Sequence, residues 1–581
     1  MKTIIKYTFA GLLGVATLSA CTDILDKSPL TEISQEDLWN DPALVEAYAN
    51  SVYNQVGHGW TESMLASACD ECELTWLRGC ELTNLSRISP SDLGRMNGGW
   101  WGWDNRGWGT KWNNITKCNI IMEHIDQVAF TDESLRTRIK GEVKYLRAFE
   151  YNDLVTRWGA VPLITRSFTI ADDALIREQK RATYEECVNF MVKELDEAAT
   201  MLPATFSGSN YGRATSVAAL ALKAQILLYA ASPLMNENVK QPEVGYMNPK
   251  ADRWEVAAKA ADEAVKAAEK AGYALYQNTG NPETDYQQLF LDTSEGNKEV
   301  IFARMGTTST LNDNLSSIEQ WNFPNGYGGW GGNCPLQELV DDFEILEHGT
   351  ARKFDWNNPA DAADPYANRD PRFYASILYD GAKWKDRELE TWLSADGNSG
   401  GRDSKYGQDA WNTSQTGYNM KKFMDENYVG NSWQFSAKNY IWLRMGELYL
   451  DQAEANAMAG HEDVAKGALN KVRARAGMPD VNKSGSELVE AIRHERRIEL
   501  CFEENRYFDV RRWKLGPQYL AGKIHRINIT KNADGTKTYK VGEIPGDFGT
   551  RIFDEKIYWV PILKSEIDKN PNIVQNPGYD K

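Results

Sequence analysis

Of the twenty tryptophans in this 581-residue chain, seven fall between residues 60 and 112: Trp60, Trp76, Trp100, Trp101, Trp103, Trp108 and Trp112. The run from Asn97 to Trp108 holds Trp100, Trp101 and Trp103 beside Asp104, Asn105 and Arg106, between glycines, and shows neither a helical nor an alternating period that would bury every indole. A second glycine-rich segment, Trp321 to Asn333, repeats the theme with Tyr327 and Trp330. Flat indoles beside Asp, Asn and Arg suit a pyranose, which has an apolar C–H face and a rim of hydroxyls. Indole offers a large contact area with little rotamer entropy to lose, and glycine lets the backbone approach where a side chain would clash. The two segments are expected to form one aromatic platform. Nucleobases also stack on indoles, but nucleic-acid sites need a positive groove, and 65 Lys and Arg against 82 Asp and Glu leave a charge of -17.

Motifs for covalent or metal chemistry are weak by comparison. The chain has no HExxH, no Walker-type phosphate loop and no dinucleotide-binding GxGxxG after a strand. Its one GxSxG, Gly397 to Gly401, lacks the strand before and the helix after that a nucleophile elbow requires. Asp70 and Glu71 are adjacent acids, whereas a glycosidase pair must flank a bond about 5 to 9 Å wide. Cys69, Cys72 and Cys80 lack the second ligand pair of a zinc site, and Asp355, Asp361, Asp364 and Asp370 lack EF-hand spacing. No metal or cofactor is expected, and the Asp cluster reads as solvated loop acids.

The elements that must position the aromatic loops are mostly helices. Asp41 before Pro42 is a helix start, followed by Leu44, Tyr48 and Val52. Leu135, Ile139, Val143, Leu146 and Phe149 form one stripe from Asp132 onward, and Ile115, Met122 and Ile125 form another before it. Thr183 and Glu186 make a capping box ahead of Val188, Met191, Leu195, Ala198 and Leu202. Val217 to Ala231 is apolar nearly all round and reads as a central buried helix. An Ala-rich helix follows from Trp254 to Ala271. Late in the chain, Leu443 to Ala457 pairs with Val464 to Ala476, which stops at Gly477. These pairs look like tetratricopeptide-type hairpins. Residues 280–435 are rich in Gly, Asn, Asp and Trp, with short extended runs such as Glu299 to Arg304, and long insertions of this kind often carry function.

The N-terminus reads as an export signal: Lys2 and Lys6, an apolar stretch from Phe9 to Leu18, then Ser19, Ala20 and Cys21. That ending resembles the bacterial lipobox, which makes Cys21 the lipid anchor, and Asp23 and Asp26 resemble the acidic export tag of surface lipoproteins in the Bacteroidetes. Seven other cysteines remain, an odd, scattered set that argues against a disulfide framework.

Three further segments carry a family resemblance. Tyr145 to Thr165 (YLRAFEYNDLVTRWGAVPLIT) and Glu495 to Trp513 (ERRIELCFEENRYFDVRRW) resemble the early and late signatures of the SusD-like (RagB/SusD) nutrient-binding outer-membrane lipoproteins. Pro561 to Tyr579 is similar to that family's closing motif. The resemblance implies a mostly α fold, residues 21–581 as a single domain behind a signal peptide at 1–20, with four tetratricopeptide-like hairpins. The scaffold would lie mainly in 110–275 and 438–515, and the variable ligand face in 57–110 and 280–435.

It also implies a non-catalytic protein, lipid-anchored at the cell surface, that passes glycans to a SusC-like TonB-dependent transporter. In some members the ligand is a peptide; a surface glycosidase is the remaining alternative. The family's stacking arrangement, carried over, falls on Asp70, Arg78, Trp100 or Trp101, and Trp321 or Trp330, with Tyr286 as a further candidate. Within the late signature, Arg496, Arg497, Glu499, Glu503, Glu504, Arg506 and Asp509 alternate in sign and are expected to pair along one helix.

Overall fold

The computed structural model describes residues 35–76, 79–97, 106–306, 318–429 and 437–580. A short helical turn, Gln35–Asn40, precedes helix α1 (Pro42–Tyr53), whose N-cap Asp41 accepts from the Ala43 amide at 2.8 Å. Next come α2 (Trp108–His124) and α3 (Glu133–Trp158), the latter capped by Asp132 and ended at Gly159, where φ is +72°. The capping box of α4 (Tyr184–Met201) is formed in both directions: Thr183 N donates to Glu186 and Glu186 N donates to Thr183. Helix α5 (Ser216–Ala231) is the central one. It packs against α4, against α6 (Arg253–Lys270) and against the later α8 (Met445–Ala459), and only a few of its side chains escape burial. Alanines 257, 258, 260, 261, 264 and 268 line the buried side of α6 and let the helices approach closely.

The array α2 to α6 is rejoined after a long insertion by α8, α9 (Glu462–Arg475) and α10 (Gly485–Glu499), with α7 (Pro282–Leu289) lying inside the insertion. The extended run at Glu299 becomes strand β2 (Val300–Arg304), antiparallel to β5 (Tyr440–Arg444), so the insertion leaves and re-enters the scaffold side by side. From outside the insertion, β1 (Cys72–Leu74) pairs with the insertion's β3 (Asn333–Pro335), and the insertion's short β4 (Leu393–Ser394) runs parallel to β6 (His525–Lys531) of a later hairpin completed by β7 (Lys537–Glu543). The closing motif ties the scaffold's ends together: Asn576 Nδ2 donates to the carbonyls of Trp158 and Val560, and Val560 N donates to Arg157.

Two main hydrophobic cores form among the described residues, one among the scaffold helices and one around Trp60, Tyr286, Phe290, Phe373, Trp384 and Tyr418, mostly of the insertion. The late signature is the seam between them. It is not one helix: α10 ends at Glu499, Phe502 and Glu504 take positive φ, and α11 (Asn505–Arg512) starts afresh. Apart from Asp509 with Arg512 inside α11, at 2.8 Å, its charges pair across elements rather than along a helix. Glu499 is fully buried and meets Arg444 at 2.7 Å, Arg372 at 2.9 Å and Arg475. Glu503 meets Arg444 and Lys422, both at 2.7 Å, and Arg496 bridges Asp451 at 2.6 Å and Asp509 at 2.9 Å. Burial by itself raises the Glu499 pKa; Arg475, Arg444 and Arg372 reverse that and hold the carboxyl well below the usual range.

A depressed folded-state pKa stabilises the fold fully above the unfolded value and loses that contribution as pH falls below it. Glu499→Gln is expected to cost about 3 to 5 kcal/mol, because three guanidinium groups lose their shared counter-charge. Urea unfolding of the variant at neutral pH checks the magnitude. Its loss of stability between about pH 4.5 and lower pH should also be shallower than that of the parent chain.

Candidate functional site

The β1–β3 pair builds the site's floor. Its register sets Leu74 opposite Asn333, so Thr75 and Trp76 leave β1 beside Trp330, Gly331 and Gly332 as these enter β3. Thr75 N donates to Gly332 O at 2.8 Å and Thr75 Oγ1 donates to Gly331 O. Trp76 and Trp330 consequently meet edge to face, with ring centroids 5.9 Å apart and planes at 88°. Both are half-buried. Beneath them lies Trp321, 2% exposed, on the short helix Ile318–Asn322, its ring 4.9 Å from Trp330.

Glycine is required here for close approach. A Cβ on Gly331, where φ is +54°, would stand 2.3 Å from the Asn412 carbonyl, and one on Gly332 would stand 2.6 Å from the Trp321 carbonyl. The absence of those side chains lets the 3₁₀ turn Ala410–Asn412 rest on the loop and brings Trp411 within 6.3 Å of Trp76. Trp411 is 65% exposed. Trp76, Trp330 and Trp411 thus form a continuous aromatic ledge. Gln415 extends beside it, donating to Thr75 O at 3.5 Å. An open groove of about 630 Å³ runs on from Trp411, walled by Leu393, Ser394, Gln415 and the first residues of β6.

Three expected site residues lie elsewhere. Asp70 is 5% exposed and holds both Arg506, at 2.8 Å, and Arg497. Burial raises its pKa, but the two guanidinium groups outweigh that and keep the carboxyl well below the usual range. It is a structural counter-ion, because both its oxygens are committed inside the protein. Its neighbour Glu71 is fully buried, and burial pushes it up to about 8, so neither acid is placed to flank a glycosidic bond. Tyr286 is fully buried on α7, where its hydroxyl donates to the Glu499 carbonyl and accepts from Lys422 Nζ at 2.7 Å. The missed signal was Asn281 before Pro282, a helix start that turns Tyr286 and Leu289 inward together. Trp321 is a support beneath the ledge rather than part of its surface.

Trp60 and Trp108 are also core residues. Arg78, Trp100, Trp101, Trp103, Asp104, Asn105 and Cys21 lie outside the described residues. The seven other cysteines are buried free thiols. Trp411, the most exposed aromatic of the ledge, escaped the sequence reading because it is a lone tryptophan between polar residues, although it lies in the insertion singled out there.

Residues 25–228 match a family described as starch-binding associating with outer membrane, and residues 298–579 match the SusD family. A SusD-like protein from Bacteroides fragilis of known structure is 30% identical, with 95% of this chain and 100% of that one covered at a TM-score of 0.76. The chain belongs to the SusD family. SusD-like protein P2 of Formosa agariphila is 23% identical over 99% of this chain and 100% of its own length. A laminarin-binding SusD-like protein shares the fold at 22% identity, with 93% of this chain and 100% of that one covered and a TM-score of 0.63. Among the described residues of this SusD-family chain, no helix is long and apolar enough to cross a membrane.

Asp70→Asn is expected to lower stability by about 3 to 5 kcal/mol through two uncompensated buried arginines. Glycan affinity of the folded fraction should be unchanged. Thermal unfolding and calorimetric titration of the same sample separate the two effects.

Proposed function

We propose that this protein captures oligo- or polysaccharide at the cell surface on the ledge of Trp76, Trp330 and Trp411, without chemical conversion, and delivers it to a SusC-like TonB-dependent transporter. The observation that carries this reading is the ledge itself. Three indoles at centroid steps of 5.9 and 6.3 Å, one of them largely bare, sit on a family scaffold whose solved relatives include a laminarin-binding protein. Trp411 offers an open apolar face to a sugar, Trp76 tilted 42° beside it extends that surface, and the Gln415 amide offers a partner for a hydroxyl rim.

The segment carrying Trp100, Trp101, Trp103, Asp104 and Asn105 belongs to the same reading. The chain enters it at Asn97 and leaves it at Arg106, and the Asn97 side chain accepts from the Trp108 amide at 2.9 Å. Just before it, Arg95 N donates to Gly79 O, three residues beyond Trp76. Those tryptophans, with Arg78, lie outside the described residues and are proposed as further glycan contacts on their chemistry, flat indoles beside planar polar groups. In this reading Cys21 carries the lipid that tethers the protein to the outer membrane.

Trp411→Ala is expected to weaken oligosaccharide binding by about 1 to 2 kcal/mol, and Trp330→Ala by at least as much, since the latter also loses contact with Trp76 and Trp321. Titration calorimetry against a panel of plant, fungal and host glycans checks this; unchanged affinity in both variants, or enrichment of peptides alone, would reject the glycan reading. Cys21→Ser should release the protein from the membrane fraction and abolish incorporation of labelled fatty acid.

A further inference from the structure

The groove that continues from Trp411 has an unusual wall. Along β6, Ile527 and Ile529 point into the insertion core, so Arg526, Asn528 and Thr530 take the opposite face and line the groove with Trp411 and Lys405. Arg526 is partly buried, yet among the described residues it makes no ion pair and no hydrogen bond through its guanidinium, and its Nε is sealed from solvent without a partner. Elsewhere in this chain buried arginines such as Arg372, Arg444, Arg496 and Arg512 are matched to carboxylates.

The acids around the groove do not supply the missing charge. Asp403 gives both oxygens to Arg387, at 2.6 and 2.9 Å. Asp396 is taken up by Ser394 and Asn398 within its own turn. Glu338, near the start of β6, is engaged by His525 at 2.7 Å. Lys405 lies over the Tyr406 ring and has no ion pair among the described residues. Burial pushes Arg526 below the usual guanidinium range, which reflects desolvation without a carboxylate to offset it. A guanidinium remains charged under such conditions, and its planar fork matches an oxyanion.

We propose that this groove selects an acidic glycan, with a uronate carboxylate or a sulfate ester of the sugar next to Trp411 received by the Arg526 guanidinium and Lys405. This rests on the glycan-binding reading and adds the charge of the ligand, in a protein whose net charge of -17 would otherwise repel it.

The test is titration calorimetry on the intact chain with two matched pairs: an oligogalacturonate against its methyl ester, and a sulfated galactan oligosaccharide against its desulfated form. One charged member should bind about tenfold more tightly than its neutral partner, and the arm in which this occurs distinguishes carboxylate from sulfate. The preference should shrink with added salt. Arg526→Gln should erase the preference, and Arg526→Lys should keep part of it. The wild-type salt dependence stands as an independent measure should the Gln variant fold poorly. Equal affinity within both pairs, or no binding of either charged probe while neutral panel glycans bind and Trp411→Ala weakens them, overturns the charge assignment and leaves the ledge intact. Absence of binding to every neutral and charged glycan overturns both.

Discussion

The structure depends on one constraint: a dense set of guanidinium and carboxylate groups sealed between two hydrophobic cores. Ile498, Cys501 and Phe502 belong to the core of the insertion, while Leu488, Ile492, Leu500 and Val510 belong to the core of the helices. Glu499 lies at that boundary, and its partners come from three directions: Arg372 from the insertion, Arg444 from the end of β5 and Arg475 from α9. Charges removed from water are tolerated only when each finds a well-oriented partner, so the network accepts few relative placements of scaffold and insertion. A purely apolar seam would permit many more.

That rigidity has a use at the ledge. Trp76 and Trp330 are held by a three-residue strand pair, too short to be stable alone. The strand pair is held in turn by the buried acids before and within it, Asp70 on Arg497 and Arg506, and Glu73 on Arg551. The acid expected to touch a ligand is instead a buried counter-ion that anchors the chain ahead of β1. Aromatic surfaces bind sugars with little cost when they are already in place, since an indole fixed by its neighbours has no rotamer freedom left to lose. Trp321 performs that service from below.

Under the proposed function, the ledge and the adjoining groove would divide the work of recognition by physical type. Stacking on indoles is tolerant of sugar identity because most pyranoses offer an apolar face, whereas an unpaired, partly desolvated guanidinium discriminates by charge. The two are contributed by segments more than a hundred residues apart in sequence, joined where Ile527 N donates to Thr416 O at 3.0 Å.

Helix positions, the capping box at Thr183, the central apolar helix and the family were all legible in the amino-acid sequence, because helical periodicity, caps and signature segments are local properties. So was the need for glycine beside Trp330. Which tryptophans remain bare was decided only by tertiary structure. Trp60, Trp108 and Trp321 are covered by elements distant in the chain, while lone Trp411 is left open by a turn resting on Gly331. The fate of the charges was likewise non-local: Asp70 reads in sequence as a ligand contact and Glu499 as one of a row of charges along a helix, until partners from across the fold surround them. Burial and ion pairing are sums over everything that packs against a residue, and no window of neighbouring sequence contains those terms.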